Sequence, residues 1–229
     1  MENIFIILLG LTMLYIASTS RLLTHINMLI IQGILLLFIC MCDISNEPWF
    51  NLGLLNDIKG NYIHILTIAF IIVETILVKS ILIPVFLKKV LKKTHTKRDS
   101  GANIPHFYAL VISSFILFMG FMIANLKIPA LEMISPLFFG VSIAIIIISL
   151  WMITIKHTVL SNVISFITME NGIFLLSLAV AKEMPIIVNL GVLLDIFIAV
   201  FILGMLIKEI DSEFKDLDVS QLSDLKDYE

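Results

Sequence analysis

Charged side chains make up only 14% of this 229-residue sequence, against about 25% in an ordinary soluble domain. With 59% of residues hydrophobic and a mean hydropathy of +1.07, too few polar groups exist to cover a water-facing surface. A soluble globular fold is thereby excluded, and an integral membrane protein is the reading that remains. Cysteine is almost absent. Cys40 and Cys42 are the two present, one residue apart at the end of an apolar run. That spacing makes a strained disulfide, and no neighbouring Cys or His pair completes a zinc site. No Gly-rich phosphate loop, HExxH pair or Cys-rich ligand cluster appears, so no redox cofactor is expected on this chain. A basic segment before the first apolar run is missing too. Met1-Glu-Asn3 precedes Ile4–Ala17, which therefore reads as a membrane helix and not as a cleavable signal.

What is present is a series of apolar runs of helical length. At about 20 residues per bilayer crossing, the pattern predicts an all-α bundle of seven transmembrane helices, at 3–20, 24–43, 61–88, 106–126, 133–155, 158–182 and 186–208. The first two are separated only by Ser18-Thr-Ser-Arg21, enough for a tight helical hairpin. Asp43–Gly60 is a longer loop with Pro48, Trp49 and two glycines; Trp49 and Trp151 suit interfacial anchoring.

Basic residues are distributed unevenly. Lys88, Lys89, Lys92, Lys93, Lys97 and Arg98 form a cluster directly after the third run. Its position against a membrane helix argues for a positive-inside signal and against nucleic-acid binding. Loops after odd-numbered spans, together with the tail, hold eleven Lys or Arg; the opposite loops hold Lys59, Lys127 and Lys182. The N-terminus is accordingly expected outside and the C-terminus in the cytoplasm, in a multi-pass protein of the cell (inner) membrane. The acidic tail 211–229 reads as a flexible extension or a docking strip for a soluble partner.

The informative residues are the polar groups inside these runs. Glu74, Glu170 and Asp195 lie near the middles of the third, sixth and seventh spans, Gln32 near the middle of the second, and Lys79 in the inner part of the third. A charge at mid-membrane costs about 2.5–3.5 kcal/mol on insertion scales, so such groups face a protein interior or a water path. A carboxyl whose hydration or cationic neighbour changes exchanges protons near neutral pH. Proton relay needs no cofactor beyond that. Each group has a plainer alternative: a buried protonated carboxyl bonded to a neighbour, an interhelical hydrogen bond for Gln32, and snorkelling to the headgroups for Lys79.

An internal repeat is visible. Met28-Leu-Ile-Ile-Gln-Gly-Ile-Leu-Leu-Leu37 parallels Phe166-Ile-Thr-Met-Glu-Asn-Gly-Ile-Phe-Leu-Leu176, with one extra residue in the second. Ile72-Val-Glu-Thr-Ile76 parallels Leu193-Leu-Asp-Ile-Phe197. The chain divides on this basis into a degenerate three-helix unit (1–88), a basic loop with a connecting fourth helix (89–132), a second three-helix unit (133–210) and the acidic tail (211–229).

Met169-Glu-Asn-Gly-Ile-Phe-Leu-Leu176, Pro185 and Asn189-Leu-Gly-Val-Leu-Leu-Asp-Ile-Phe-Ile-Ala-Val200 resemble hydrogenase-4 component E. They are also similar to the K-type subunit of NADH:quinone oxidoreductase and, more distantly, to the C subunit of Mrp cation/proton antiporters. The resemblance implies a non-catalytic membrane subunit of a complex I-like or formate hydrogenlyase-type assembly. Antiporter-like and quinone- or hydrogenase-anchoring subunits would be its partners, and these would carry the iron–sulfur clusters and any NiFe or quinone centre. It implies proton-transfer roles for Glu170 and Asp195, extended by Glu74 and Lys79, with Gln32 and Asn171 as supporting polar groups. Asp195 stands where the K-type subunit has glutamate, one methylene longer, and Gln32 cannot titrate. A subunit of a multisubunit cation/proton antiporter is the alternative, and an assembly scaffold the plainest one.

Overall fold

The polar breaks between apolar runs become the turns between helices. In a computed structural model, residues 2–46, 73, 79–93, 105–125, 135–156 and 158–180 are described. The helices are α1 (Glu2–Ser18), α2 (Leu22–Asn46), α3 (Ile83–Lys93), α4 (His106–Asn125), α5 (Pro136–Ile155) and α6 (Val159–Val180). No strand appears among the described residues. All of them fall within one unit, Met1–Val192; the second unit, Leu193–Glu229, lies outside them.

Local chemistry sets the boundaries. The Arg21 carbonyl accepts the amides of Thr24 and His25, starting α2 straight after the short break. Pro136 occupies the first turn of α5, where its missing N–H costs nothing. Thr158 caps α6: its Oγ1 accepts the Ser161 amide at 3.3 Å and donates to Ser161 Oγ at 2.7 Å. Within helices, hydroxyls turn back to their own backbone, as with Thr12 on the Leu9 carbonyl and Ser165 on the Ser161 carbonyl. That satisfies them where no water is at hand.

Two boundaries differ from the sequence expectation. Helix α2 runs on through Asn46, past the loop start read at Asp43. Helix α3 continues to Lys93, so three lysines expected in a loop, Lys89, Lys92 and Lys93, extend the helix beyond 88. Lysine is a good helix former and complements the negative C-terminal end of the helix dipole. Residues 79–82 preceding α3 form a π-turn.

Helices α1, α2, α6 and α5 each touch the next and close into a four-helix ring. Helix α4 packs outside it against α1 and α5, and α3 packs against α2. Close approach between α4 and α5 depends on Gly120. A Cβ there would stand 2.5 Å from the Gly140 carbonyl oxygen and 2.8 Å from Ala144 Cβ. Gly120→Ala is therefore expected to destabilise the detergent-solubilised protein by about 1–3 kcal/mol, the usual cost of overpacking. Gly10→Ala, whose new methyl meets only the Leu117 and Val141 side chains, is the control. Equal melting temperatures for the two variants would refute the crossing.

The polarity of the bundle is inverted relative to a soluble protein. Its outer face carries Phe107 (71% exposed), Phe115 (63%) and Ile4 (61%), while His25, Gln32, Lys79, Ser149, Lys156, Glu170 and Asn171 are buried. In water such an exterior would aggregate; in lipid it is the favourable arrangement. Helices Leu22–Cys42, Pro136–Ile155 and Leu160–Ala179 are long and apolar enough to cross a membrane, and Glu2–Ser18 and Phe107–Ile123 are shorter apolar helices. This is a helical membrane protein. Trp151 sits in the last turns of α5, half-buried; Trp49 lies outside the described residues.

Candidate functional site

The ring encloses a polar centre. Gln32, 1% exposed on α2, is held from two sides. Its Nε2 donates to Thr12 Oγ1 at 3.0 Å and lies 3.1 Å from Met13 Sδ, both on α1. Its Oε1 accepts from Asn171 Nδ2 on α6 at 3.1 Å. Thr12 Oγ1 in turn donates a hydrogen bond to the Leu9 carbonyl at 2.6 Å. Donors and acceptors thus run in one direction from Asn171 through Gln32 and Thr12 to the backbone. The two supporting polar residues expected from the sequence meet directly, 139 positions apart.

Each member of this pair immediately precedes a glycine at which another segment comes close. A Cβ on Gly33 would stand 2.6 Å from Ser80 Oγ, and one on Gly172 would stand 2.9 Å from Ile145 Cγ2. The approach at Gly33 involves the Lys79 and Ser80 backbone, that at Gly172 the Ile145 and Ile146 side chains. Across the bundle, however, the residue facing Gln32 is Asn171 and not Glu170.

Glu170 occupies the adjoining position on α6 and is 2% exposed. One turn further on is Phe174, and residues four apart share a helix face. Over the Phe174 ring, 4.6 Å from its centroid, sits the ammonium of Lys79. Lys79 is only 4% exposed, so its nitrogen is turned inward to α6 and does not snorkel to the surface. Its depth agrees: six residues separate it from Val85, about 9 Å of helix, so if Val85 marks the edge of the hydrocarbon, Lys79 lies inside a core about 30 Å thick. Lys79 also lies in the π-turn, an irregularity common at functional sites.

A buried lysine and a buried glutamate thus approach one helical face, beside an amide chain that does not titrate. Phe174, Thr12 and Met13 were not legible as site residues, because an aromatic, a hydroxyl and a thioether inside apolar helices look like ordinary packing. Glu74 and Asp195 lie outside the described residues. Cys40 and Cys42 are not joined in a disulfide, and among the described residues no three His, Cys, Asp or Glu gather as metal ligands.

A second polar cluster closes one end of the ring. His25 Nε2 donates to the Thr19 carbonyl at 2.9 Å, and Lys156 Nζ reaches the same oxygen at 3.4 Å. The turns after α1 and after α5 therefore lie at the same end. Lys156, counted from the sequence as a loop charge, is buried.

The amide pair has a measurable consequence. Gln32→Leu removes the partner of Asn171 Nδ2, whose Oδ1 already has no hydrogen-bond partner among the described residues. Interhelical hydrogen bonds in membranes contribute about 0.6–1.7 kcal/mol. Unfolding in mixed micelles should show a loss of that size, and Gln32→Leu with Asn171→Leu together should cost less than the two single changes added.

The chain is 25% identical over 155 residues to hydrogenase-4 component E of Escherichia coli K12, covering 65% of this chain and 68% of that protein. The same protein of Shigella flexneri matches equally. An uncharacterized protein of Mycobacterium tuberculosis, Rv0085, is 31% identical over 84 residues, 37% of this chain and 38% of that one. No family model matches, and no solved structure does. The resemblance to hydrogenase-4 component E read from the residues is borne out.

Proposed function

We propose that this chain is a non-catalytic, multi-pass subunit of an energy-converting assembly in the cell membrane, of the membrane-bound hydrogenase or complex I-like kind. In it, Glu170 and Lys79 are part of a lateral proton path continued by Asp195 and Glu74. The observation that carries this reading is the placement of Lys79 over Phe174, one turn from buried Glu170, inside a bundle whose exterior is apolar. An ammonium and a carboxyl inside the hydrocarbon core are costly unless each stabilises the other or a proton moves between them. Likeness to a protein named as a hydrogenase-4 component supports the assembly.

The path works by electrostatics alone. When Lys79 is protonated over the ring, the quadrupole of Phe174 and the Glu170 carboxylate both favour it there. Loss of the Lys79 proton, or its withdrawal toward another carboxylate, weakens the hold on negative charge at Glu170, which then takes a proton. Gln32 and Asn171 hold α2 and α6 in register without joining the exchange. Electron transfer in partner subunits would supply the bias, and their iron–sulfur and NiFe or quinone centres lie outside this chain.

Affinity purification of the tagged chain from gently solubilised membranes tests the assembly. Recovery of antiporter-like membrane subunits with subunits binding iron–sulfur clusters is expected. Recovery of antiporter subunits alone, with sodium-dependent transport and no redox partner, would move the chain to the cation/proton antiporter class.

A further inference from the structure

Helix α3 has two faces, and neither is explained by the proton path. Ile83, Leu87 and Val90, spaced as successive turns, are buried against α2, the helix α3 packs on. The opposite sector is exposed and changes character along its length. Ile81, Leu82 and Val85 are open apolar side chains, Val85 at 60%. On the same side above them, Lys89 and Lys92 are exposed and Lys88 is half-buried. No acidic residue occurs anywhere in Ile83–Lys93.

The axial distances match a bilayer boundary. Lys89 stands about 6 Å above Val85 and Lys92 about 10.5 Å above it, at 1.5 Å per residue. A leaflet's polar layer is about 5–7 Å thick, from a total thickness of about 40–45 Å around a hydrocarbon core of about 30 Å. With Val85 at the edge of the hydrocarbon, Lys89 falls inside the headgroup layer, and the Lys92 backbone stands about 3–5 Å beyond it, near enough for its long side chain to reach back. One lipid laid along this face would place its acyl chains on Ile81, Leu82 and Val85, and its phosphate among the ammonium groups.

We infer that the outer face of α3 is a binding site for an anionic phospholipid, its headgroup phosphate held by Lys88, Lys89 and Lys92. A zwitterionic lipid brings its own cation to the same place and is disfavoured by these charges. A soluble phosphate lacks the acyl chains that the apolar half of the face would cover. Helix α3 follows directly from the π-turn that carries Lys79, so a lipid fixed here also steadies the depth of that lysine.

The test uses the full chain in nonionic detergent, titrated with dioleoyl phosphatidylglycerol or dioleoyl phosphatidylcholine and read by native mass spectrometry. Each lysine near an anionic surface is expected to contribute about fivefold in affinity. Phosphatidylglycerol should therefore bind at least tenfold more tightly than phosphatidylcholine. Lys89→Gln with Lys92→Gln should lower its affinity about 25-fold, and Lys89→Arg with Lys92→Arg should retain it. Raising the salt to 1 M, where screening acts within about 3 Å, should shrink the preference. Equal binding of the two lipids, or an unchanged preference in the correctly folded glutamine variant, would overturn the assignment. So would displacement of the lipid by millimolar glycerol phosphate, which would point to a soluble anion.

Discussion

Glu170→Gln, introduced into the assembled complex, is expected to lower coupled proton translocation on the order of 10²-fold, the usual contribution of a positioned proton-transfer group, while subunit composition stays intact. Glutamine keeps the length and shape of the side chain and can still form hydrogen bonds, so packing against the neighbouring helices is preserved. It cannot take up or release a proton, and it brings no negative charge to the α6 face over which Lys79 sits. The measurement is proton uptake by inverted membrane vesicles driven by the parent complex's own redox reaction, with electron transfer followed in parallel. Glu170→Asp separates chemistry from presence: it keeps the charge but retracts it by one methylene, and an intermediate rate is expected. Translocation at the wild-type rate in Glu170→Gln vesicles that hold the complete complex would leave this chain an assembly scaffold.

Among the described residues the helices were legible in the sequence because that signal is local; the span expected at 186–208 and most of that at 61–88 lie outside them. Apolar runs of helical length and short polar breaks locate α1, α2, α4, α5 and α6 within a few residues of their observed ends. The exceptions have local causes as well: Lys88 to Lys93 are good helix formers placed where the dipole favours them, so polarity there did not mean loop. At the site, burial of Gln32, Lys79, Glu170 and Asn171 follows from the cost of leaving such groups in lipid. Their pairing does not. The contact between Gln32 and Asn171 joins residues 139 apart, and no spacing rule selects it from the other buried amides and hydroxyls. The direction of Lys79 was equally open, since a long flexible stem allows either the headgroups or the interior. The structure turns it inward, over the Phe174 ring. Burial of His25 and Lys156 had no signal at all, because residues beside a polar turn ordinarily face water.

Lys79→Met is the second large effect expected, and its value lies in comparison with Glu170→Gln. Methionine fills nearly the same volume and remains favourable against the Phe174 ring, so the bundle should fold and the complex should assemble. The positive charge is lost, and with it the favourable term for an ionised carboxyl on the same face of α6. If Lys79 and Glu170 act on one proton, each single change removes the shared step. Translocation should then fall by a similar large factor in either single variant, on the order of 10²-fold. The double variant should be no worse than the more severe single one, because groups that act as a unit are not additive. Independent roles would instead multiply the two losses. Lys79→Arg adds a further discrimination: guanidinium keeps the cation–π contact but does not give up its proton. Retention of activity with arginine would mean that Lys79 acts as a fixed charge, and its loss would mean that the lysine itself carries the proton. The first result places the moving proton on Glu170 alone; the second makes Phe174 the resting place of a mobile charge. Phe174→Leu, which removes the ring but keeps an apolar side chain, should then impair translocation less than Lys79→Met and slow it most where Lys79 must wait protonated.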